Sequence, residues 1–226
     1  MTAAEIEAEE RRAELLAKSI GGALAAILGL KAAKPPVAWD AAKGVFTVEG
    51  RTVSAETVRR ELQRIETAVG VKMSNVTDRL KRGELTLEQW RDEFKWLIGS
   101  SHVLIAALAA GSIAAAVTNT KVQSRIDSER KFADGFARDV RKKRLPASTI
   151  KARASSYLLS AAVTYAVVQH VVRKALGYTE ARRVLRARES CPDCRSFGFE
   201  WMPIDKMPPI GSLQCGSRCR CYLEYR

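Results

Sequence analysis

Cysteine is missing from the first 190 residues of this 226-residue chain, and histidine occurs twice, at His102 and His170. A centre built on thiolate or imidazole therefore has little upstream material. Neither histidine has a serine, cysteine or carboxylate partner at a spacing that would activate a nucleophile, and both read as packed or partly exposed helical residues. No Gly-rich phosphate loop and no metalloprotease motif is present. No catalytic or cofactor-binding residue is assigned, and the expectation is a protein that is not an enzyme. Aromatic residues are also scarce, at 7%, while alanine fills every long segment. That composition favours close-packed helices over a β-sandwich. The N-terminus, Met1-Thr-Ala-Ala-Glu-Ile-Glu-Ala-Glu-Glu10, is acidic where a signal peptide begins basic and turns apolar. A reducing compartment is the corresponding expectation.

Acidic charge is in deficit too: 38 Lys and Arg face 25 Asp and Glu, for a formal net charge of +13. Such an excess points to a polyanionic neighbour, whether nucleic acid, anionic membrane or an acidic protein surface. The charge sits late in the chain. Arg141, Lys142, Lys143 and Arg144 form one basic run, and Arg173, Lys174, Arg182, Arg183, Arg186 and Arg188 form another just before the cysteines. Without interleaved aromatics, any contact with nucleic acid is expected at the backbone and blind to sequence. The alternative is the solvated side of two helices.

The periodicity predicts a mainly α protein: an elongated helical body, a small N-terminal β-hairpin and a C-terminal, zinc-ribbon-like, irregular or β cysteine module. Residues 1–33 carry an N-terminal helix over 3–30, and Pro35-Pro36 break it. Residues 34–54 hold the linker and a hairpin, Val45 to Val48 against Arg51 to Val53 with its turn at Glu49-Gly50. The helical body spans 55–178. Ser54 is a suitable N-cap for a helix over 55–70 with Val58, Leu62, Ile65 and Val69 as its stripe. Thr86 and Gln89 form a capping box for a helix that runs through Trp90, Phe94 and Trp96 into residues 96–120, where no side chain is charged. Further helices are expected over 121–143 and about 147–176, with Gly177 ending the last. Residues 96–120 are long enough to span a bilayer and 157–172 are apolar but shorter; both read as buried helices of a packed bundle, so no membrane partner is expected.

Residues 179–226 form the cysteine module. Cys191-Pro-Asp-Cys194 is followed by Cys215-Gly-Ser-Arg-Cys219-Arg-Cys221. A Cys-x-x-Cys turn puts two thiolates on one side of a tight knuckle, at the separation a tetrahedral zinc ion needs, and a second pair completes a four-sulfur structural site. Cys191, Cys194 and Cys215 are the firmer ligands; Cys219 and Cys221 compete for the fourth place. The segment 201–211, interrupted by Pro203, Pro208 and Pro209, is expected to hold little regular structure without the metal. Paired disulfides are the alternative in an oxidising setting. A redox Cys-x-x-Cys lacks its βαβ surroundings.

The second half of the chain resembles the phage Mu F-like head morphogenesis proteins, the minor head or minor capsid proteins of tailed bacteriophages. The resemblance covers roughly residues 131–226. Phe132-Ala-Asp-Gly-Phe-Ala-Arg-Asp-Val140, Leu145-Pro146, Arg153 to Tyr157, Ala181-Arg-Arg-Val-Leu185 and Met207-Pro-Pro-Ile-Gly211 carry it together with the two cysteine clusters. Many family members place a histidine before the closing Cys-Arg-Cys, where this chain has Cys215, so an all-sulfur site would replace a mixed one. The resemblance implies a virion component of the phage head, assembled in the host cytoplasm, in few copies or as a homo-oligomer near the portal, with portal or capsid proteins and the backbone of packaged double-stranded DNA as partners. Two other readings stand beside it. A zinc-ribbon DNA-binding regulator would need a recognition helix aimed at bases, whereas the helix before the cysteines offers mostly arginine. A membrane-inserting protein ejected with the genome would be built on residues 96–120.

Overall fold

The computed structural model describes residues 38–40, 42–48, 51–143, 145–186 and 190–226. The helix expected over 3–30, the Pro35-Pro36 break, the Glu49-Gly50 turn, Arg144 and Arg188 lie outside the described residues. Within them the protein is mainly α, with six helices, a small antiparallel sheet on the N-terminal side and a cysteine-bearing β module at the C-terminal side.

Helix α1 (Ala55–Lys81) starts where Ser54 Oγ accepts the Thr57 N–H, which satisfies one of the free donors of the first turn. It does not stop at Gly70 as the sequence suggested. The stripe of Val58, Leu62, Ile65 and Val69 continues through Met73 and Val76, and all but the half-buried Leu62 are core residues. A Cβ on Gly70 would stand 3.1 Å from Leu158 Cδ1, so this glycine serves close helix packing and ends nothing.

Helix α2 (Leu87–Ala110) opens with the expected capping box between Thr86 and Gln89. Every residue from Leu97 to Ala109 is buried. A helix apolar on all sides must be the central one, and α2 packs against α1, α4 (Thr120–Lys143) and α5 (Ala147–Ala175). Trp90 stacks on Phe94 at 5.1 Å, and both meet Phe136 of α4 edge-on, with Tyr157 of α5 closing the cluster. Such ring pairs add about 0.5–1.5 kcal/mol each beyond the area they bury.

Gly111 ends α2 in the left-handed region, φ 85°. A Cβ there would lie 2.5 Å from the Trp39 carbonyl oxygen. The uncharged stretch 96–120 is thus divided between α2, the short α3 (Ile113–Thr118) and the start of α4. Among the described residues, α5 is the one helix long and apolar enough, by length and composition, to cross a membrane; here its inner side packs on α1, α2 and α4.

The N-terminal sheet has one strand more than the expected hairpin. Strand β1 (Ala38–Asp40) pairs with β2 (Val45–Val48), and β2 pairs with β3 (Arg51–Thr52), all antiparallel. An isolated sheet of this size would be marginal. Trp39 anchors it: the ring is buried, meets Phe46 edge-on at 5.0 Å, and its strand packs on α2.

His102 sits in the middle of α2 with no exposed surface. Its Nδ1 is 2.7 Å from Thr164 Oγ1 of α5, and its Nε2 has no partner among the described residues. Burial, assisted by nearby Arg125, pushes its pKa from 6.5 down to about 4. As pH falls below 6.5 the unfolded chain takes up a proton that the folded chain refuses until about pH 4, so stability is lost across that window. The loss attributable to this residue is about 3 kcal/mol. Urea unfolding at pH 7 and pH 4 should show His102→Asn losing less stability than the natural chain by about that amount. Equal losses would contradict the assignment. His170 is shifted in the same direction and is left in place in both proteins.

Candidate metal centre

The described residues of 179–226 fold back onto α5. Strand β4 (Glu180–Val184) is central, antiparallel to β5 (Trp201–Pro203) on one side and β6 (Tyr222–Tyr225) on the other. The segment expected to be nearly irregular therefore supplies β5, and the 3₁₀ turn Ile204–Lys206 follows it. Along β4 burial alternates, with Ala181 and Arg183 fully buried. The alternation is that of a half-buried strand, but one of its two inward positions carries arginine.

Two knuckles bring the sulfurs together. Cys191 caps the short helix α6 (Pro192–Ser196), and its Sγ accepts the Cys194 N–H at 3.4 Å. Asp193 Oδ2 accepts the Gln214 N–H at 3.1 Å, which ties the first knuckle to the approach of the second. The second turns through the 3₁₀ segment Gly216–Arg218 between Cys215 and Cys219. Cys194 Sγ is 3.5 Å from Cys215 Sγ and 3.7 Å from Cys219 Sγ. A tetrahedral ion with Zn–S bonds of about 2.3 Å requires sulfurs about 3.8 Å apart; a disulfide requires about 2.05 Å. All five cysteines are free thiols.

The sulfurs form two overlapping sets, Cys191 with Cys194 and Cys215, and Cys194 with Cys219 and Cys221, each within 4.8 Å. Cys194 belongs to both. The cysteine cluster is near enough to bind a metal ion, and its donors are the soft thiolates that zinc and other thiophilic metals accept. Burial raises the Cys194 thiol and pushes Cys215 up to about 11. Cys191 moves the other way because the Cys194 N–H stabilises its thiolate. Buried thiols with raised pKa values, pressed together, are costly to ionise without a cation among them.

One cation is already there. The Arg183 side chain has no exposed surface. Its Nη1 donates to Cys194 Sγ at 3.6 Å and reaches Cys219 Sγ at 3.9 Å, while Nη2 donates to the Pro208 carbonyl. The guanidinium thus ties the Pro-Pro approach to the sulfurs. Ala181, Ile204, Met207, Ile210 and Leu223 fill the rest of this small core, against Ala166 of α5. Gly211 sits so close to α5 that a Cβ would come within 2.6 Å of Val163 Cγ1.

The basic residues expected to meet a polyanion divide. Arg183 is withdrawn from that role, because a fully buried guanidinium against sulfur cannot reach a phosphate. Arg182 pairs with Glu224 and lies over the Trp201 ring at 4.9 Å, and Arg186 lies over Tyr222 at 5.2 Å. These arginines stand on and just after β4, not on a helix. Arg141 is exposed and 3.7 Å from Glu88; Lys142 is exposed; Lys143 closes α4. Comparison with protein families, with curated proteins and with solved structures finds no match for the chain.

Proposed function

We propose that the chain is a non-enzymatic, structural protein of a tailed-phage head, and that a structural zinc ion organises its C-terminal module. The observation that carries the zinc reading is the pair of Sγ–Sγ separations at Cys194, 3.5 and 3.7 Å, close to the edge of a zinc–thiolate tetrahedron. Cys191, Cys194, Cys215 and Cys219 are its ligands. Cys219 is preferred to Cys221 because it neighbours both Cys194 and Cys215, whereas Cys221 neighbours Cys194 and Cys219. The ligand set leaves no open position for substrate, and a closed four-sulfur site is architectural.

The phage reading rests on the resemblance of residues 131–226 to the Mu F-like head morphogenesis proteins. It is supported by the basic, mainly helical body and by the place of the Met207-Pro-Pro-Ile-Gly211 motif, which bridges the sulfurs and α5. Portal or capsid proteins are the partners, in few copies near the portal, with Arg141 and Lys142 available to the backbone of packaged DNA. Co-expression with the portal protein of the same phage tests this: the two are expected to co-elute on size-exclusion chromatography. Separate elution at physiological salt would contradict the reading. The regulator reading is weaker because Arg182 and Arg186 are engaged with Glu224, Trp201 and Tyr222.

A further inference from the structure

A second site lies away from the cysteines. A cavity of about 510 Å³ opens where the N-terminal sheet, α1, α5 and the C-terminal sheet meet. Its size is that of small-molecule sites, about 300–1,000 Å³. Aromatic rings dominate the wall, among them Trp39, Phe46, Tyr165 and Tyr178.

Arg173 of α5 lines this cavity although 6% of its surface is exposed. Its guanidinium lies 3.1 Å from the centre of the Trp39 ring and 5.5 Å from that of Tyr178. Among the described residues no carboxylate pairs with it, and the titratable groups that act on it are the phenols of Tyr178, Tyr165 and Tyr225. The other charges of the wall are compensated: Arg59 binds Glu56, and Glu224 binds Arg182. One buried positive charge is left over. A buried charge without a partner is costly, and ring faces offset only part of that cost.

Unused hydrogen-bonding groups point to the same conclusion. The Trp39 Nε1–H and the Tyr225 hydroxyl, both on the cavity wall, are buried and have no partner among the described residues. Buried polar atoms are nearly always satisfied. Two unsatisfied groups beside an unpaired arginine, within one aromatic-lined space, form a built recognition site.

We propose that this cavity binds a small amphipathic anion, a flat apolar body carrying an acidic head, with the head on Arg173 and the body between the aromatic side chains. Charge-assisted bonds to arginine select the ionised form over a neutral isostere, and the rings supply apolar contact.

Isothermal titration calorimetry of the full chain with 1-naphthylacetate and with its neutral analogue 1-naphthylacetamide tests the proposal. The acid is expected to bind saturably, one per chain, and on the order of tenfold tighter than the amide. Arg173→Gln should bring the acid down to the level of the amide. Should that variant not fold, the natural chain still decides: the acid must shift the indole N–H resonances of Trp39 and Trp201 more than those of Trp90 and Trp96. Equal affinity for acid and amide, absence of saturable binding, or shifts confined to Trp90 and Trp96 would overturn the proposal.

Discussion

Replacing Cys194 with serine is expected to abolish metal binding and to unfold the β module, while the helical body stays intact. Cys194 is the sulfur common to both three-cysteine sets, is almost fully buried, and is itself part of the module's apolar cluster. That cluster is small, and the strands around it have three to five residues each. On the proposed zinc reading a module of this size would draw its stability from the ion: structural zinc contributes about 10–16 kcal/mol to folding in small zinc domains at neutral pH. The core around Trp90, Phe94, Phe136 and Tyr157 belongs to other residues. Limited proteolysis should therefore cut Cys194→Ser within residues 190–226 and spare α1 to α4, with far-UV helicity nearly unchanged. Cys221→Ser should keep its metal. Retention of metal by Cys194→Ser, or collapse of the whole helical signal, would refute this two-part description.

The second large effect is expected at Arg183, and its neighbour Arg182 provides the control. Four thiolates around a divalent cation would leave a net charge of −2, and Arg183 would offset part of it from inside the module. Arg183→Met keeps much of the side-chain volume, removes the charge and leaves the Pro208 carbonyl without its donor. Outer-shell partners of this kind are worth about 10–100-fold in metal affinity. Competition with a chromophoric chelator should show a loss in that range. Arg182→Met removes a half-exposed pair with Glu224, the kind of contact worth about 0–1 kcal/mol, and should leave metal affinity nearly unchanged. Equal losses in the two variants would mean that burial next to sulfur has no bearing on the metal.

The adjacent arginines also mark where the sequence was hard to read. Two consecutive Arg residues look like a basic surface patch, and the usual signature of a half-buried strand is apolar residues at alternate positions. In β4 one inward position holds Arg183, whose partners, Cys194 and Cys219, are distant in sequence; the alternation was invisible without them. The length of α1 was misread for a different reason. Gly70 is a local stop signal, yet the apolar stripe runs past it to Val76, and the tertiary contact with Leu158 decides in favour of continuation. Strand β1 escaped notice because Ala38–Asp40 is three residues long and acquires its meaning from Trp39 against Gly111. What was legible is what local chemistry determines: the Ser54 and Thr86 caps, the buried central helix, and the grouping of all five thiols. The cavity around Arg173 was not legible, since it unites four elements of the chain that share no sequence pattern.

Elemental analysis of the purified full-length chain tests the account most directly. One zinc ion per chain is predicted, with all five cysteines reduced and metal removal by a chelator loosening residues 179–226 alone. A protein free of stoichiometric metal, with its cysteines joined in disulfide pairs, would contradict it.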